Sequence, residues 1–304
     1  MDTNSRESGA SSWPASAAHD TVRIDAAGLT DIGRARHVNE DSFLIATLQR
    51  SLVVHDASPG ASGWFAGEPA GKLLVVADGM GGQGGGDIAS KVGVNTVVTY
   101  LLNSMPWKSP PGESTTSRSS LAGVREQLSS ALVAGDETVK SAGAQSGAPH
   151  MGTTLTIAFV LWPKLYIAHV GDTRCYLLRS GKLERLTTDH TLAQQLAEVS
   201  REPVDPSSHL HHVLWNCLGG SDDLPRPEVG RRDLVLGDVL LLCSDGLTKH
   251  LDDARIAQLL GANASCEARA RNLVDLANRG GGTDNITALV AQAYPTSASA
   301  GGPA

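Results

Sequence analysis

The chain has 304 residues, of which 41% are apolar, 19% are charged and only 4% are aromatic, a composition typical of a globular protein packed from small aliphatic side chains. The formal net charge of −7 argues against a nucleic-acid surface, because a phosphate backbone requires a basic field. The sequence has neither about 18 consecutive apolar residues nor a basic segment followed by an apolar one at its N-terminus, so we expect a cytoplasmic protein without a membrane span or a secretory signal.

Strand-like and helical patterns follow one another in groups along the chain. The first strand-like runs are "TVRIDAAGL", "SFLIAT", "SLVVHD" and "KLLVVAD", and later ones are "TTLTIAFVLW", "KLYIAHVGD", "RCYLLRSG", "RRDLVLGDVLLLCSD" and "DNITALVAQA". Helical periodicity is present in residues 87–102, 121–140, 191–199, 252–261 and 265–279. Strands in runs and helices in pairs predict an α+β protein with helices packed on antiparallel sheets, and argue against alternating βαβ units.

The chain shows no convincing division into domains. Residues 1–20 and 295–304 are rich in Ser, Ala, Gly and Pro and predict disordered tails. Residues 21–294 are therefore interpreted as a single domain. The segment 103–120 is the best candidate for a linker, but it fits a surface loop between two helices equally well.

The stretch "LLVVADGMGGQGGGDIA", residues 73–89, allows two interpretations. Gly79, Gly81 and Gly84 have the G-x-G-x-x-G spacing of a dinucleotide-binding turn. An aspartate directly before the first glycine would repel a pyrophosphate, however, and no acidic residue ends a second strand about twenty residues later. We therefore favour a turn in which Asp78 is the functional group and the glycines let the backbone approach it.

Acidic residues recur at the ends of apolar runs. Asp78, Asp172 and Asp245 each end such a run, Asp284 begins one, and glycine lies beside or close to all four. A single aspartate of this kind is usually a turn former or a helix cap. Four of them can converge at one edge of the sheets if their strands are neighbours, and converging carboxylates require a cation. An all-oxygen ligand set without His or Cys predicts Mg²⁺ or Mn²⁺.

The segment "RARHVNEDSFLIA" precedes the second strand-like run. Standing alone, it is typical of a charged turn with local ion pairs. Beside a carboxylate–metal cluster, Arg36 gains another use, because a planar guanidinium binds two phosphate oxygens at once.

Six motifs resemble those of a known family. "RHVNED", "VVADGMGG", "MGTT", "HVGDTR", "LLCSDGL" and "GGTDNIT" are similar, in order and approximate spacing, to the motifs of the type 2C metal-dependent Ser/Thr protein phosphatases, most closely of their bacterial branch. The similarity extends from about residue 28 to about residue 293. It implies a four-layer αββα sandwich of two antiparallel sheets flanked by helix pairs, with a two-metal centre at one end.

The resemblance also implies roles for individual residues. Asp78 matches the carboxylate that bridges both metals, and Gly79 matches a carbonyl ligand. Asp245 and Asp284 match acids that complete the shell of the first metal. Glu40 and Asp41 match acids that hold the second metal directly or through water. Asp172 matches a ligand of a third, weaker metal, which is shared with Asp245. Arg36 matches the phosphate-binding arginine.

The implied reaction is hydrolysis of phosphoserine or phosphothreonine in proteins. The resemblance implies a water activated by Mg²⁺ or Mn²⁺ that attacks phosphorus without a phosphoenzyme. The implied substrates are phosphoproteins made by a Ser/Thr kinase, and we expect a monomer that binds neither nucleic acid nor membrane. Two rival interpretations remain, a catalytically silent binding module on the same fold and an oxidoreductase that uses a nicotinamide cofactor.

Three departures from the family pattern limit the transfer of roles. The segment 47–71 is longer than the tight hairpin typical of the family at this point and is expected to form an extended hairpin loop beside the site. Met80 stands where some members have a histidine proposed as the acid for the leaving group, and His190 is a distant substitute that is better explained as structural. The segment 209–220, "HLHHVLWNCLGG", replaces a string that usually carries arginine. Its histidines, residues 209, 211 and 212, are expected to form solvated or packed surface and not a metal cluster.

Overall fold

The computed structural model describes residues 22–54, 63–81, 85–104, 118–205 and 207–295. The strands are β1 (Val22–Asp31), β2 (Asp41–Val54), β3 (Gly63–Met80), β4 (Gly152–Thr153), β5 (Leu155–Leu161), β6 (Lys164–Val170), β7 (Arg174–Arg179), β8 (Lys182–Arg185), β9 (Leu218–Gly219), β10 (Glu228–Asp233), β11 (Val239–Cys243) and β12 (Ile286–Pro295). The helices are α1 (Gly85–Ser104), α2 (Arg118–Ser146), α3 (Leu192–Ser200), α4 (Asp245–Thr248), α5 (Asp253–Leu260) and α6 (Cys266–Arg279), with a 3-10 helix at His209–His212.

Two antiparallel sheets form the centre of the molecule. The first has five strands in the order β1-β12-β11-β7-β8. The second has seven strands, in which β10-β6-β5-β3-β4-β9 form a path and β2 pairs with the other edge of β3. Helices α1 and α2 pack on the second sheet, and α6 packs on β1 and β12 of the first. The predicted α+β class and the implied αββα sandwich are both confirmed.

Alternation along the strands explains why these runs are apolar throughout. In β3, Leu73 and Val75 belong to the core under α1 and α2, while Leu74 and Val76 belong to the core between the sheets. Successive side chains of a strand point to opposite faces, so a strand covered on both faces needs apolar residues at every position. The layered arrangement therefore accounts for "LLVVA" without any helical tendency.

Several sequence predictions are refined by the strand pairing. "SFLIAT" and "SLVVHD" are parts of one strand, β2, up to Val54. "RRDLVLGDVLLLCSD" is not one strand but two in different sheets, because the chain turns at Gly237, whose φ is +89°. The predicted disordered tail at 1–20 and residues 296–304 of the other lie outside the described residues, whereas Pro295 ends β12.

The position predicted for the 47–71 hairpin is wrong. The strands β2 and β3 do form a long hairpin, in which Asp41 pairs with Asp78 at one end and Val54 pairs with Gly63 at the other. The acids predicted as metal ligands lie at the first end. The hairpin therefore extends away from the acids. Most of the segment that was predicted as a loop is paired as strand.

None of the helices in the described ranges is both long and apolar enough to cross a lipid bilayer. The only helices of more than 15 residues among them, α1 and α2, lie side by side against the second sheet. Their role is to cover that sheet and to place the first turn of α1 beside the end of β3.

Candidate functional site

A cleft of about 710 Å³ lies where several strands end. It is lined by Arg36, Glu40, Asp78, Gly79, Met80, Gly81, Thr154, Asp172, His212, Leu214, Asp245, Lys249, Thr283, Asp284 and Asn285. Seven of the eight predicted site residues are in this lining, and Asp41 is the exception. The convergence that the strand-end acids predicted is therefore present in the fold.

The end of β3 is fixed through its backbone. The N–H of Asp78 donates to Oγ1 of Thr154 at 2.9 Å, and the N–H of Thr154 donates back to the carbonyl of Asp78 at 2.9 Å. Thr153 adds a hydroxyl bond to the same carbonyl at 3.0 Å. These bonds explain the two threonines of "MGTT", and they leave the Asp78 carboxylate directed to the cleft.

Glycine allows α1 to approach the acids closely. A Cβ on Gly79 would lie 1.9 Å from the carbonyl oxygen of Gly86, and a Cβ on Gly86 would lie 2.4 Å from Oε1 of Glu40. The N–H of Gly86, in the first turn of α1, instead donates to that Glu40 oxygen at 3.2 Å. This packing supports the interpretation in which the glycines let the backbone approach the acids, and not the interpretation as a dinucleotide-binding turn.

Asp41 lies behind the cleft and not in it. It is 6% exposed, and its Oδ2 accepts hydroxyl bonds from Ser244 and Thr287, each at 2.7 Å. Its Oδ1 is buried and has no hydrogen-bond partner among the described residues. Asp41 is thus oriented by the other sheet, and its ability to reach a metal depends on that one free oxygen.

Two basic side chains contact Asp284 in the cleft. Arg36 Nε lies 2.8 Å from Oδ1 of Asp284, and its Nη2 donates to Oδ2 at 3.0 Å. Lys249 Nζ lies 2.6 Å from Oδ2 of Asp284 and 2.6 Å from Oδ2 of Asp245. Sequence reasoning missed Lys249, whose only signal was a basic residue four positions after an acid that begins a helix.

Asn285 was also missed, although it lies within the quoted motif "GGTDNIT". Its Oδ1 accepts the N–H of Glu40 at 2.8 Å, and its Nδ2 donates to the carbonyls of Ile32 and Val38, each at 2.9 Å. A single buried amide thereby fixes the loop that carries Arg36 against the start of β12. The signal that could have found it is a polar residue directly before a buried strand.

Burial first, and neighbouring carboxylates second, raise the pKa of three acids at the site, Asp41, Asp78 and Asp172. Burial, followed by the neighbouring carboxylates Asp41 and Asp245, holds the pKa of Asp78 well above its usual range. Burial and the charge of Asp245 raise the pKa of Asp172 to about 8. Burial raises the pKa of Asp41 to about 7, against the two hydroxyl bonds that lower it. Asp284 is the exception, because the bonds of Lys249 and Arg36 outweigh burial and hold its pKa below the usual value.

We expect the protein to lose stability in EDTA as the pH rises from about 5 to about 8. Asp41 and Asp172 keep their protons in the folded state to about pH 7 and 8, whereas an unfolded aspartate loses its proton near pH 4. Between these values the folded state binds more protons, so the free energy of unfolding falls with pH, by at most about 1.4 kcal/mol per pH unit for each group.

Thermal unfolding in EDTA across this pH range measures the effect, and the Asp172→Asn variant should lose part of the slope. A wild-type melting temperature in EDTA that rises from pH 5 to pH 8 would contradict the raised pKa values of these two acids.

The donor set of the cleft fits a hard divalent cation. The predicted ligands offer carboxylate oxygens and the backbone carbonyl at Gly79, which are ligands that Mg²⁺ and Mn²⁺ prefer, and His212 adds an imidazole to the lining. Two buried oxygens, Oδ1 of Asp41 and Oδ1 of Asp245, have no hydrogen-bond partner among the described residues. A cation would satisfy both oxygens and would offset the burial and the mutual repulsion that raise the pKa of Asp41, Asp78 and Asp172.

A second group of possible ligands lies outside the cleft, but its hydrogen bonds oppose metal binding. Ligand atoms of His169, His190 and Glu228 lie within 4.8 Å of one another. Nδ1 of His190 accepts the N–H of Gly171 at 3.1 Å and the Nδ2 of Asn216 at 2.9 Å. A neutral His190 therefore carries its proton on Nε2, the nitrogen that faces Glu228, and cannot offer that atom to a metal.

His169 is constrained in the same way. Its Nε2 lies 3.1 Å from the carbonyl of Thr188, which can only accept, while its Nδ1 lies 2.8 Å from the hydroxyl of Thr156. Burial lowers the pKa of His169 to about 3 and that of His190 to about 4, so both rings are neutral. Since His190 is 6% exposed and does not line the cleft, its environment favours the structural role over proton donation.

The histidines of the 209–220 segment divide into two groups. Residues 209–212 form the 3-10 helix, and none of its histidines is buried. His212 nevertheless lines the cleft together with Leu214. The expectation of a solvated or packed surface therefore holds for His209 and His211 but misses the contact of His212 with the site, which depends on how this segment folds back over the strand ends.

The fold and the site together define a class of protein: an αββα sandwich with a carboxylate-lined cleft where the strands end. Residues 48–278 match the family model described as Protein phosphatase 2C. The chain belongs to the protein phosphatase 2C family.

Bacterial relatives agree with this assignment. Serine/threonine protein phosphatase PstP of Mycobacterium tuberculosis is 34% identical over 223 residues, which cover 72% of this chain and 40% of that protein. Serine/threonine phosphatase stp of Listeria innocua is 32% identical over 270 residues, which cover 86% of this chain and 93% of that protein. The chain thus spans less than half the length of the mycobacterial relative and nearly all of the Listeria one.

Solved structures have the same fold. The serine/threonine phosphatase PstP/Ppp of Mycobacterium tuberculosis superposes with a TM-score of 0.68 at 29% identity, over 88% of this chain and 98% of that one. The catalytic domain of PstP in complex with two manganese ions gives a TM-score of 0.67 at 29% identity, over 90% of this chain and 100% of that one. The manganese ions are a property of that protein, and they motivate the proposal for this one.

Proposed function

We propose that the chain is a metal-dependent phosphoprotein phosphatase that hydrolyses phosphoserine and phosphothreonine. The observation that supports this most directly is the convergence of Asp78, Asp245 and Asp284 with Arg36 in one open cleft. Carboxylates for metal and a guanidinium for phosphate are what phosphoryl transfer to water requires. The names of the bacterial relatives support the same activity.

The proposed ligands follow the family roles. Asp78 would bridge two metals, with the carbonyl of Gly79, Asp245 and Asp284 holding the first of them. The second would be held directly or through water by Glu40 and Asp41, and a third, weaker one by Asp172 with Asp245. When bound, Mn²⁺ or Mg²⁺ would supply a Lewis acid that lowers the pKa of a water and neutralises phosphate charge.

The protein's own groups have separate tasks in this proposal. Arg36 binds two phosphate oxygens through its planar fork and so orients the phosphorylated side chain. Its present partner is Asp284, so metal binding to that carboxylate frees the guanidinium for phosphate. Asn285 keeps Arg36 in reach, because it fixes both ends of the loop from Ile32 to Val38. Residues 21–294 would act as one phosphatase domain on products of a Ser/Thr kinase, as a monomer.

The proposal is tested by hydrolysis of p-nitrophenyl phosphate and of a phosphothreonine peptide. We expect turnover with Mn²⁺ or Mg²⁺ and none after exhaustive treatment with EDTA, since an all-oxygen site exchanges such ions readily. Added Mn²⁺ should restore activity. A Glu267→Gln variant, which removes an exposed ion pair with Arg271 on α6, is the matched control and should behave as wild type.

The rival interpretation as a binding module predicts a different result. Such a protein would bind Mn²⁺ or a phosphopeptide without turning over either substrate. Full activity after chelation, in contrast, would exclude a metal mechanism altogether.

A further inference from the structure

Lys249 occupies an unusual position among the predicted metal ligands. Helix α4 begins at Asp245, and one helical turn places residue 249 over residue 245. The ammonium of Lys249 lies 2.6 Å from Oδ2 of Asp245 and 2.6 Å from Oδ2 of Asp284, and the side chain is only 26% exposed. A single lysine therefore joins two acids that come from different segments of the chain.

The oxygens of Asp284 are fully used by donors of the chain itself. Oδ1 accepts Arg36 Nε and the N–H of Asn285 at 3.0 Å, and Oδ2 accepts Lys249 and Arg36 Nη2. Asp245 accepts Lys249 at its Oδ2, and its buried Oδ1 has no hydrogen-bond partner in the part of the chain that the structure describes. Asp245 keeps one oxygen free for a metal, but a metal that binds Asp284 as well must displace Arg36 or Lys249 from that carboxylate. Lys249 is the one of these two donors that also contacts Asp245, and an ammonium can only donate, so its charge opposes a cation held by both acids.

We propose that Lys249 is a built-in counter-ion of the metal site, which holds Asp245 and Asp284 together and is displaced when a divalent cation binds them. The inference rests on one part of the proposed function, namely the assignment of Asp245 and Asp284 as metal ligands. Lys249 then has two opposed effects. It stabilises the fold in the absence of metal, and it lowers the affinity for metal, because a positive charge must leave before another enters.

An ordinary structural ion pair would behave differently. A helix pair of residues i and i+4 stabilises the folded state with and without metal, and its removal would not improve metal binding. The sign of the change in metal affinity therefore separates the two roles. Stability measured in both metal states separates them again.

The experiment uses the full chain and the Lys249→Gln variant. Free Mn²⁺ is measured by electron paramagnetic resonance during titration, and unfolding is followed in EDTA and in saturating Mn²⁺. We expect the variant to bind Mn²⁺ at least about tenfold more tightly, because a unit positive charge a few ångströms from a divalent ion costs more than this factor at an effective dielectric near 20. Its melting temperature should fall in EDTA and equal that of wild type in Mn²⁺.

Two control variants accompany it. Lys249→Arg keeps the charge and should keep the wild-type affinity. Lys91→Gln removes an exposed ion pair with Asp87 on α1 and should change neither quantity. If Lys249→Gln folds poorly in EDTA, its affinity is measured by competition after folding in Mn²⁺.

The outcomes are distinct. An unchanged or weaker affinity for Mn²⁺ in Lys249→Gln, with equal losses of melting temperature in both states, overturns the counter-ion role even if wild type is an active phosphatase. Tighter binding in the variant without hydrolysis by either protein supports the counter-ion role and contradicts the proposed function. Binding of Mn²⁺ by neither protein overturns both.

Discussion

Asp78→Asn is expected to abolish metal-dependent hydrolysis without unfolding the protein. Asp78 is the proposed bridge, so an amide removes a charge from both metals at once, and turnover should fall by at least roughly a thousandfold. The hydrogen bonds that fix this residue run through its backbone N–H and carbonyl to Thr154 and Thr153, and the substitution leaves them intact. The loss should therefore be one of chemistry and metal binding.

Stability provides a second readout for Asp78→Asn. Burial, followed by the neighbouring carboxylates, disfavours the charge of Asp78 and raises its pKa. A neutral amide should thus leave the melting temperature in EDTA at pH 8 equal to or above that of wild type, while abolishing the gain from Mn²⁺. An equal fall of melting temperature in EDTA and in Mn²⁺ would mean that Asp78 is a structural residue.

The second large effect separates Asp245 from Asp172. Asp245→Asn should lower turnover by roughly three orders of magnitude, because Asp245 belongs to the proposed first metal. Asp172→Asn should leave two metals bound, and its cost should fall on turnover, to a different extent for a protein substrate and for p-nitrophenyl phosphate. Metal content by elemental analysis, measured beside kcat for both variants, tests the assignment. If Asp172→Asn empties the binuclear site while Asp245→Asn does not, the two roles are exchanged.

The strand-end acids were predictable for a physical reason. An apolar run that ends in aspartate and glycine marks the point where a buried strand reaches solvent, and Asp78, Asp172 and Asp245 all lie in the cleft where they were expected to meet. The helices were equally predictable from the sequence; for example, the helix predicted at 265–279 is observed as Cys266–Arg279. These features depend on local pattern, which a sequence contains directly.

Other features depend on which strands become neighbours. Glu40 and Asp41 are adjacent in sequence, but one lines the cleft and the other lies behind it, because the start of β2 places successive side chains on opposite faces. The break between β10 and β11 has only Gly237 as a local signal inside an apolar run. The contact of Lys249 with Asp284 joins α4 to the start of β12 and has no local signal at all.

The position of Asp41 links the site to the mechanical integrity of the sandwich. Asp41 begins β2 of one sheet, while its hydroxyl donors Ser244 and Thr287 follow β11 and lie in β12 of the other. A cation shared by acids from both sheets would therefore act as a cross-link at this edge. Amide hydrogen exchange at residues 244 and 287 should slow when Mn²⁺ is added, because the two sheets separate less often when the site holds metal.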